Sequence, residues 1–269
     1  TPALQEAAQT RLRMITDLRE AIDKNQFIVH YQPIVELATG DIRKAEALIR
    51  WQHPERGLVS PNEFIPLAEE TGLIAAIGDR VFREAARQTK RLRALHHPAF
   101  QISVNKSPTQ FRDSGSTVAA WFGYLRELEL PGESITIEIT EGLLLNAVAD
   151  VTDKLQSLRD GGIQIAIDDF GTGYSSLAYL KRFHIDYLKI DQSFVRDIET
   201  DPNDMALSNA IIVMAHALGL KVIAEGVETA SQFKWLKDAG CDYAQGYFFS
   251  EPIPADQFEA WLLARPTWS

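Results

Sequence analysis

The chain has almost no thiol chemistry: Cys241 is its one cysteine in 269 residues. No intrachain disulfide can form, and the sequence fits a reducing compartment. Long hydrophobic runs are also missing. The best stretch, Ala210–Ala224, is interrupted by His216, Gly219 and Lys221 and falls short of the roughly 18 apolar residues that a membrane span needs. Positive charge is scarce too, with 27 Lys and Arg against 37 Asp and Glu for a formal net charge of −10. An acidic chain with no basic run is excluded as a binder of duplex nucleic acid through its phosphates. A phosphate-bearing ligand would have to meet metal ions or a locally placed Arg or Lys. There is no secretory signal, and a start at Thr1 rather than Met leads us to expect a fragment of a longer polypeptide. With 45% hydrophobic and 24% charged residues, the composition is that of a soluble globular protein, not a disordered, collagen-like or disulfide-built one.

What the sequence does contain is alternation. Short β-branched runs (Phe27–Val35, Ala45–Ile49, Gln101–Val104, Ile135–Ile139, Ile163–Ile167, Tyr187–Ile190, Lys221–Ala224, Tyr243–Ala244) are separated by helical stretches. The latter include Pro61–Glu70, Ile77–Leu95, Asp150–Asp160, Asp204–Leu218 and Ala230–Asp238. About eight strands alternating with helices predict an α/β fold with a parallel sheet closed into a barrel, with an open doubly wound sheet as the alternative. Residues 1–22, with Leu12, Ile15, Leu18 and Ile22 at helical spacing, are expected to form an N-terminal packing or linker helix. Residues 23–269 are expected to form one barrel domain.

Alternate residues of a strand face opposite sides. Ile135, Ile137 and Ile139 share one face and leave Thr136 and Glu138 on the other; Ile163, Ile165 and Ile167 leave Gln164 and Asp168. By the same parity Ile102 and Val104 leave Asn105, Leu188 and Ile190 leave Lys189, Val222 and Ala224 leave Glu225, and Ala45, Ala47 and Ile49 leave Glu46 and Arg50. Gln32 and Gln245 end the two remaining runs. In a barrel these polar residues converge on the axis at the strand C-termini, where barrel active sites are built. Unpaired charge inside a protein is costly, so a cation must compensate Glu46, Glu138, Asp168, Asp169 and Glu225. Their all-oxygen chemistry, with Asn105 and without clustered His or Cys, selects magnesium or manganese over zinc. Asp169, opening the loop after Asp168, can reach a second ion, and two such ions suit phosphoryl displacement. Lys189 can orient water or neutralise phosphate, the alternative being a salt bridge to Asp168 or Asp191. Its pKa is expected to tend upward among the carboxylates. Arg50 suits bidentate phosphate binding. Gly171 and Gly173 make a loop that positions Asp168 and Asp169, and Cys241 is expected to be a buried structural thiol.

The motifs carry a resemblance. Glu46-Ala47-Leu48-Ile49-Arg50-Trp51 resembles the signature of the EAL-domain family of cyclic di-GMP phosphodiesterases. It is joined in order by SVNKSP (103–108), EITEG (138–142), IDDFGTGYSSL (167–177), YLKIDQSF (187–194), AEGVET (224–229) and AQGYFFSEP (244–252). The resemblance implies a (β/α)8 barrel with one early antiparallel strand, and hydrolysis of cyclic di-GMP to linear pGpG with two magnesium or manganese ions. It implies that Glu46, Asn105, Glu138 and Asp168 hold one ion, and that Asp168, Asp169 and Glu225 surround the other. Lys189 matches the lysine that contacts the catalytic water, Glu141 the glutamate that braces the loop after Asp169, and Glu228 and Gln245 the remaining site positions. Arg50 and the backbone near Leu48, with Gln32 close by, are expected to hold phosphate; Asp79, Phe249 and Glu251 are expected to meet the guanine edges. Lys106 departs from the apolar residue usual after the motif asparagine, and its side chain is expected to face away from the axis. The family also implies a homodimer through the helix expected at Ser175–Arg182, with its apolar Leu177, Tyr179 and Leu180. Upstream regulatory domains and a cytoplasmic location, without membrane contact by this domain, are implied as well. The competing reading is a non-catalytic cyclic di-GMP receptor.

Overall fold

The computed structural model describes residues 2–112, 117–145, 149–173, 180, 183–264 and 268. The chain opens with helix α1 (Pro2–Asp23), followed by the hairpin β1 (Phe27–Glu36) and β2 (Ile42–His53) and the short β3 (Gly57–Val59). Then come α2 (Pro61–Glu70), α3 (Ile74–Leu95), β4 (Gln101–Asn105), α4 (Pro108–Arg112) and α5 (Thr117–Glu127). The central part holds β5 (Ile135–Thr140), α6 (Glu141–Leu145), α7 (Ala149–Asp160), β6 (Gln164–Phe170) and β7 (Tyr187–Ile190). It continues through α8 (Gln192–Arg196), α9 (Pro202–Ala217), β8 (Lys221–Ala224), α10 (Ala230–Asp238), β9 (Tyr243–Ala244), β10 (Ile253–Pro254) and α11 (Ala255–Leu263).

Strands β2, β4, β5, β6, β7, β8 and β9 run parallel, each paired with the next, and β1 closes the ring by pairing antiparallel with both β2 and β9. The result is a closed eight-stranded barrel with one reversed early strand. The open-sheet alternative is therefore excluded. Two short strands escape the sequence pattern, β3 against β2 and β10 against β1; three and two residues are too few to show a period.

The isoleucines of β5 and β6 explain the closure. Ile135, Ile137, Ile139, Ile165 and Ile167 are all buried in the main core between strands and helices, each contributing about 2 kcal/mol by leaving water. The opposite parity fills the barrel. Ile34, Ala166, Tyr187 and Ile223 form a small apolar cluster of their own. Lys44 sits inside as well, donating to Gln101 and, at 2.7 Å, to the Tyr187 hydroxyl. Helix α1 is a packed element: Met14, Leu18 and Ala21 bury against Phe27, Trp51, Val59 and Phe64 of β1–β3 and α2. The expected boundary at residue 22 thus lies within α1. Among the described residues no helix is long and apolar enough to cross a membrane. Of the segment 175–182, all but Leu180 lies outside the described residues, and Leu180 is buried.

Candidate active site

The inward positions at the strand C-termini meet as the parity argument requires. In register, Gln32 of β1 lies opposite Glu46 of β2, and Asn105 of β4 opposite Glu138 of β5. Lys189 of β7 projects into the middle. Its Nζ lies 2.6 Å from Glu138 Oε2, 2.7 Å from Glu225 Oε1, 3.0 Å from Asp168 Oδ1 and 3.5 Å from Glu46 Oε2. Asn105 Nδ2 donates to Glu46 Oε1 at 2.5 Å. Gln245 Nε2 donates to the other Glu46 oxygen at 2.7 Å and lies 2.8 Å from Gln32 Oε1. Gln32 in turn donates to the Ser250 carbonyl at 3.0 Å. Glu46 is thereby held from three sides.

Consecutive residues of a strand face opposite ways, so two neighbouring aspartates cannot both enter a barrel without an irregularity. The sequence reading places Asp169 in a loop beyond the strand; instead β6 runs on to Phe170, and its pairing with β7 slips between Ile167 and Phe170. Asp169 takes a left-handed conformation with φ 54°, uncommon for a residue with a Cβ. The bulge brings Asp168, Asp169 and Glu225 to one place, with one oxygen of each within 4.8 Å of the others. Glu141, at the start of α6, accepts from the Gly171 backbone N–H at 3.3 Å. Downstream, a capping box between Thr229 and Gln232 starts α10, and Gln232 also accepts from the Glu228 N–H at 2.7 Å, fixing the loop after Glu225. Gly246 is required where that loop crosses the end of β9: a Cβ there would lie 2.1 Å from the Val227 carbonyl oxygen.

One ammonium does not satisfy five carboxylates, and their proton affinities reflect it. Burial, with repulsion from Glu46, holds Glu138 well above the ordinary carboxylate range despite Lys189. Burial also pushes Glu225 up to about 8, against the pull of Lys189 and with repulsion from Asp168 and Glu46. Asp169 is raised to about 6 by burial and by Asp168 and Asp191. Glu46 goes the other way: burial would raise it, but Lys189, Gln245 and Asn105 together bring it below its usual value. Lys189 is held well above its ordinary value because Asp168, Glu138, Glu225 and Glu46 outweigh its burial. Glu138 Oε1 is buried with no hydrogen-bond partner, an expensive arrangement unless a cation faces it. Oxygen-only donors, a surplus of negative charge and an orphaned buried carboxylate oxygen fit hard divalent cations.

Above this floor opens a cleft of about 760 Å³, lined among others by Gln32, Glu46, Leu48, Arg50, Asn105, Glu138, Asp168, Asp169, Glu225, Glu228 and Gln245. Arg50 is half-buried, and the burial lowers its pKa from the usual guanidinium value. The cleft wall includes Tyr247 and Gln192, which the sequence reading passes over although both stand in its motifs. Tyr247 is 62% exposed, a free aromatic face at the rim. The three residues expected to meet the guanine edges do not line this cleft. Asp79 accepts from Trp121 Nε1 at 3.1 Å and from Arg83 at 2.8 Å, on the side where α3 meets α5. Phe249 is buried among Phe233, Phe248 and Trp268. Glu251 is exposed and, like the other two, lines no part of the cleft. Lys106 does leave the axis, as its parity predicts. Its ammonium is buried 4.1 Å from the Trp121 ring and 4.9 Å from that of Phe111, with no hydrogen-bond partner.

The model of the EAL domain family matches residues 15–252. Cyclic di-GMP phosphodiesterase NbdA of Pseudomonas aeruginosa is 41% identical over 257 residues, covering 96% of this chain and 33% of its own. The chain spans about a third of the length of the curated relatives it matches. Among solved structures, the PaMucR phosphodiesterase in complex with c-di-GMP superposes with a TM-score of 0.87 at 40% identity, covering 91% of this chain and 99% of that one. The FimX EAL domain from Pseudomonas aeruginosa bound to c-di-GMP gives 0.81 at 27% identity, covering 89% and 96%.

Proposed function

Because this chain belongs to the EAL domain family, we infer that it hydrolyses cyclic di-GMP to linear pGpG, using two magnesium or manganese ions. The observation that carries the reading is the convergence of five carboxylates and Asn105 on the floor of a cleft with Arg50 and Tyr247 in its walls. Asp168, Asp169 and Glu225 would hold one ion; Glu46, Asn105 and Glu138, sharing Asp168, the other. When bound, such ions make hydroxide available near neutral pH and stabilise the charge of the phosphoryl transition state.

The chain's own residues do the rest. Arg50 binds a non-bridging phosphate oxygen in fork geometry, beside the backbone of Leu48. Tyr247 offers a face on which a purine stacks, and Glu228 borders the same cleft. Lys189 donates a hydrogen bond to the attacking water's oxygen and keeps its proton, orienting a lone pair at phosphorus. Gln245 and Gln32 fix the carboxylate of Glu46, and Glu141 holds the loop after Asp169 closed. Water adds to phosphorus, the P–O bond to one ribose 3′ oxygen breaks, and that oxygen leaves with a proton. A cytoplasmic location, pairing with a second copy and control by further domains complete the proposal. Burial pushes the Cys241 thiol up to about 12, which suits a structural thiol.

The test is to incubate the purified protein with cyclic di-GMP and magnesium and to separate the products. Stoichiometric pGpG that disappears with a chelator supports the reading. Tight cyclic di-GMP binding with no product would make the domain a receptor instead.

A further inference from the structure

The side chain of Lys189 is 1% exposed, and its ammonium is shared by carboxylates from four separate segments: Glu46 on β2, Glu138 on β5, Asp168 on β6 and Glu225 after β8. Three protons serve four acids, so no single pair satisfies it. All four acids are also the oxygen donors assigned above to divalent ions, and this inference rests on that assignment. An ammonium 2.6–3.0 Å from three of them stands within a few ångströms of wherever ions bound to the same oxygens must lie. At about 4 Å, and even with the partial screening of a protein interior, repulsion between like charges far exceeds thermal energy. The lysine is anchored on a central strand whose backbone is paired on both sides, so its Cα stays beside the cluster.

We propose that Lys189 is a built-in competitor of the divalent ions: it holds the four carboxylates together and sets the cation concentration at which the site loads. A role confined to orienting water makes no such demand, because it leaves metal affinity unchanged when the ammonium is removed.

The experiment measures Mn2+ binding, without substrate, to chelator-treated wild-type protein and to Lys189→Met, Lys189→Gln and Lys189→Arg. Calorimetry or the free-Mn2+ paramagnetic signal gives the affinity, and thermal melts are run in parallel. The two neutral variants are expected to bind Mn2+ about ten-fold tighter or more, and Mn2+ is expected to raise their melting temperature further than it raises the wild type's. The arginine variant, which keeps the charge, stays near the wild-type affinity. Neutral variants that fold only when Mn2+ is supplied support the proposal equally, since the ion then replaces the missing ammonium. Folded neutral variants that bind Mn2+ no tighter than wild type overturn it. If the wild type itself binds no Mn2+, the two-ion reading fails instead, and the two failures are distinct.

Discussion

Lys106 makes the sharpest stability prediction. Its ammonium is buried above Trp121 and Phe111 without a hydrogen bond, and burial pulls its pKa from an ordinary 10.5 down to about 8. At about 1.4 kcal/mol for each pH unit, that displacement makes the charged form cost the fold about 3 kcal/mol. Contact with the two rings returns about 1 kcal/mol, leaving a net cost of about 2 kcal/mol. Lys106→Met keeps the length and removes the charge, so at pH 7 its melting temperature should exceed the wild type's by about 4–8 °C. The pH dependence fixes the cause. The folded pKa lies below the unfolded one, so between pH 8 and 10.5 the unfolded chain binds more protons and wild-type stability rises with pH. The cost is present in full below pH 8 and shrinks above it, so the advantage of the variant should narrow steadily from pH 8 to pH 10. Urea melts across that range are the assay. A variant no more stable than wild type at pH 7, or an advantage independent of pH, would show that the buried ammonium does not cost the fold this energy.

Three other perturbations separate the roles in the cleft. Glu46→Ala, which removes the carboxylate braced by Asn105 and Gln245, should lower kcat by several orders of magnitude while circular dichroism shows the barrel intact. Tyr247→Ala should raise KM for cyclic di-GMP about ten-fold, from stacking worth about 1–3 kcal/mol per base, with kcat nearly unchanged. Glu141→Ala removes the acceptor of the Gly171 N–H; hydrogen exchange at Gly171 should quicken and kcat fall about ten-fold, while the melting temperature moves little.

How far the sequence could be read depended on the range of the forces involved. Strand parity is local, so the inward set from Glu46 to Gln245 was visible from alternation alone, and the family resemblance supplied the reversed β1. The bulge at Asp168–Asp169 was not visible, because it lies in the slip of β6 against β7, a relation between two strands. Lys44 shares the parity of Glu46 but points to the other end of the barrel, where Tyr187 receives it; parity tells inside from outside, not top from bottom. That Asp79 and Phe249 stay out of the cleft lining was not legible, for a similar reason. Asp79 is on a helix, and where it points is decided by the packing of α3 on Trp121 of α5. Tyr247, Phe248 and Phe249 look alike as a run. The turn at Gly246, pressed against Val227, leaves the first in the cleft and the last in the core.

A site for two divalent ions among the strand-end acids is tested by counting the ions it binds. Equilibrium dialysis of Mn2+ against the wild type and Asp169→Asn, each with a non-hydrolysable cyclic di-GMP analogue, gives the number bound per chain. Two are expected for the wild type and one for the variant, since Asp169 joins Asp168 and Glu225 and is not among the donors assigned to the other ion, Glu46, Asn105, Glu138 and the shared Asp168. One ion or none in the wild type, or two retained by the variant, would contradict it.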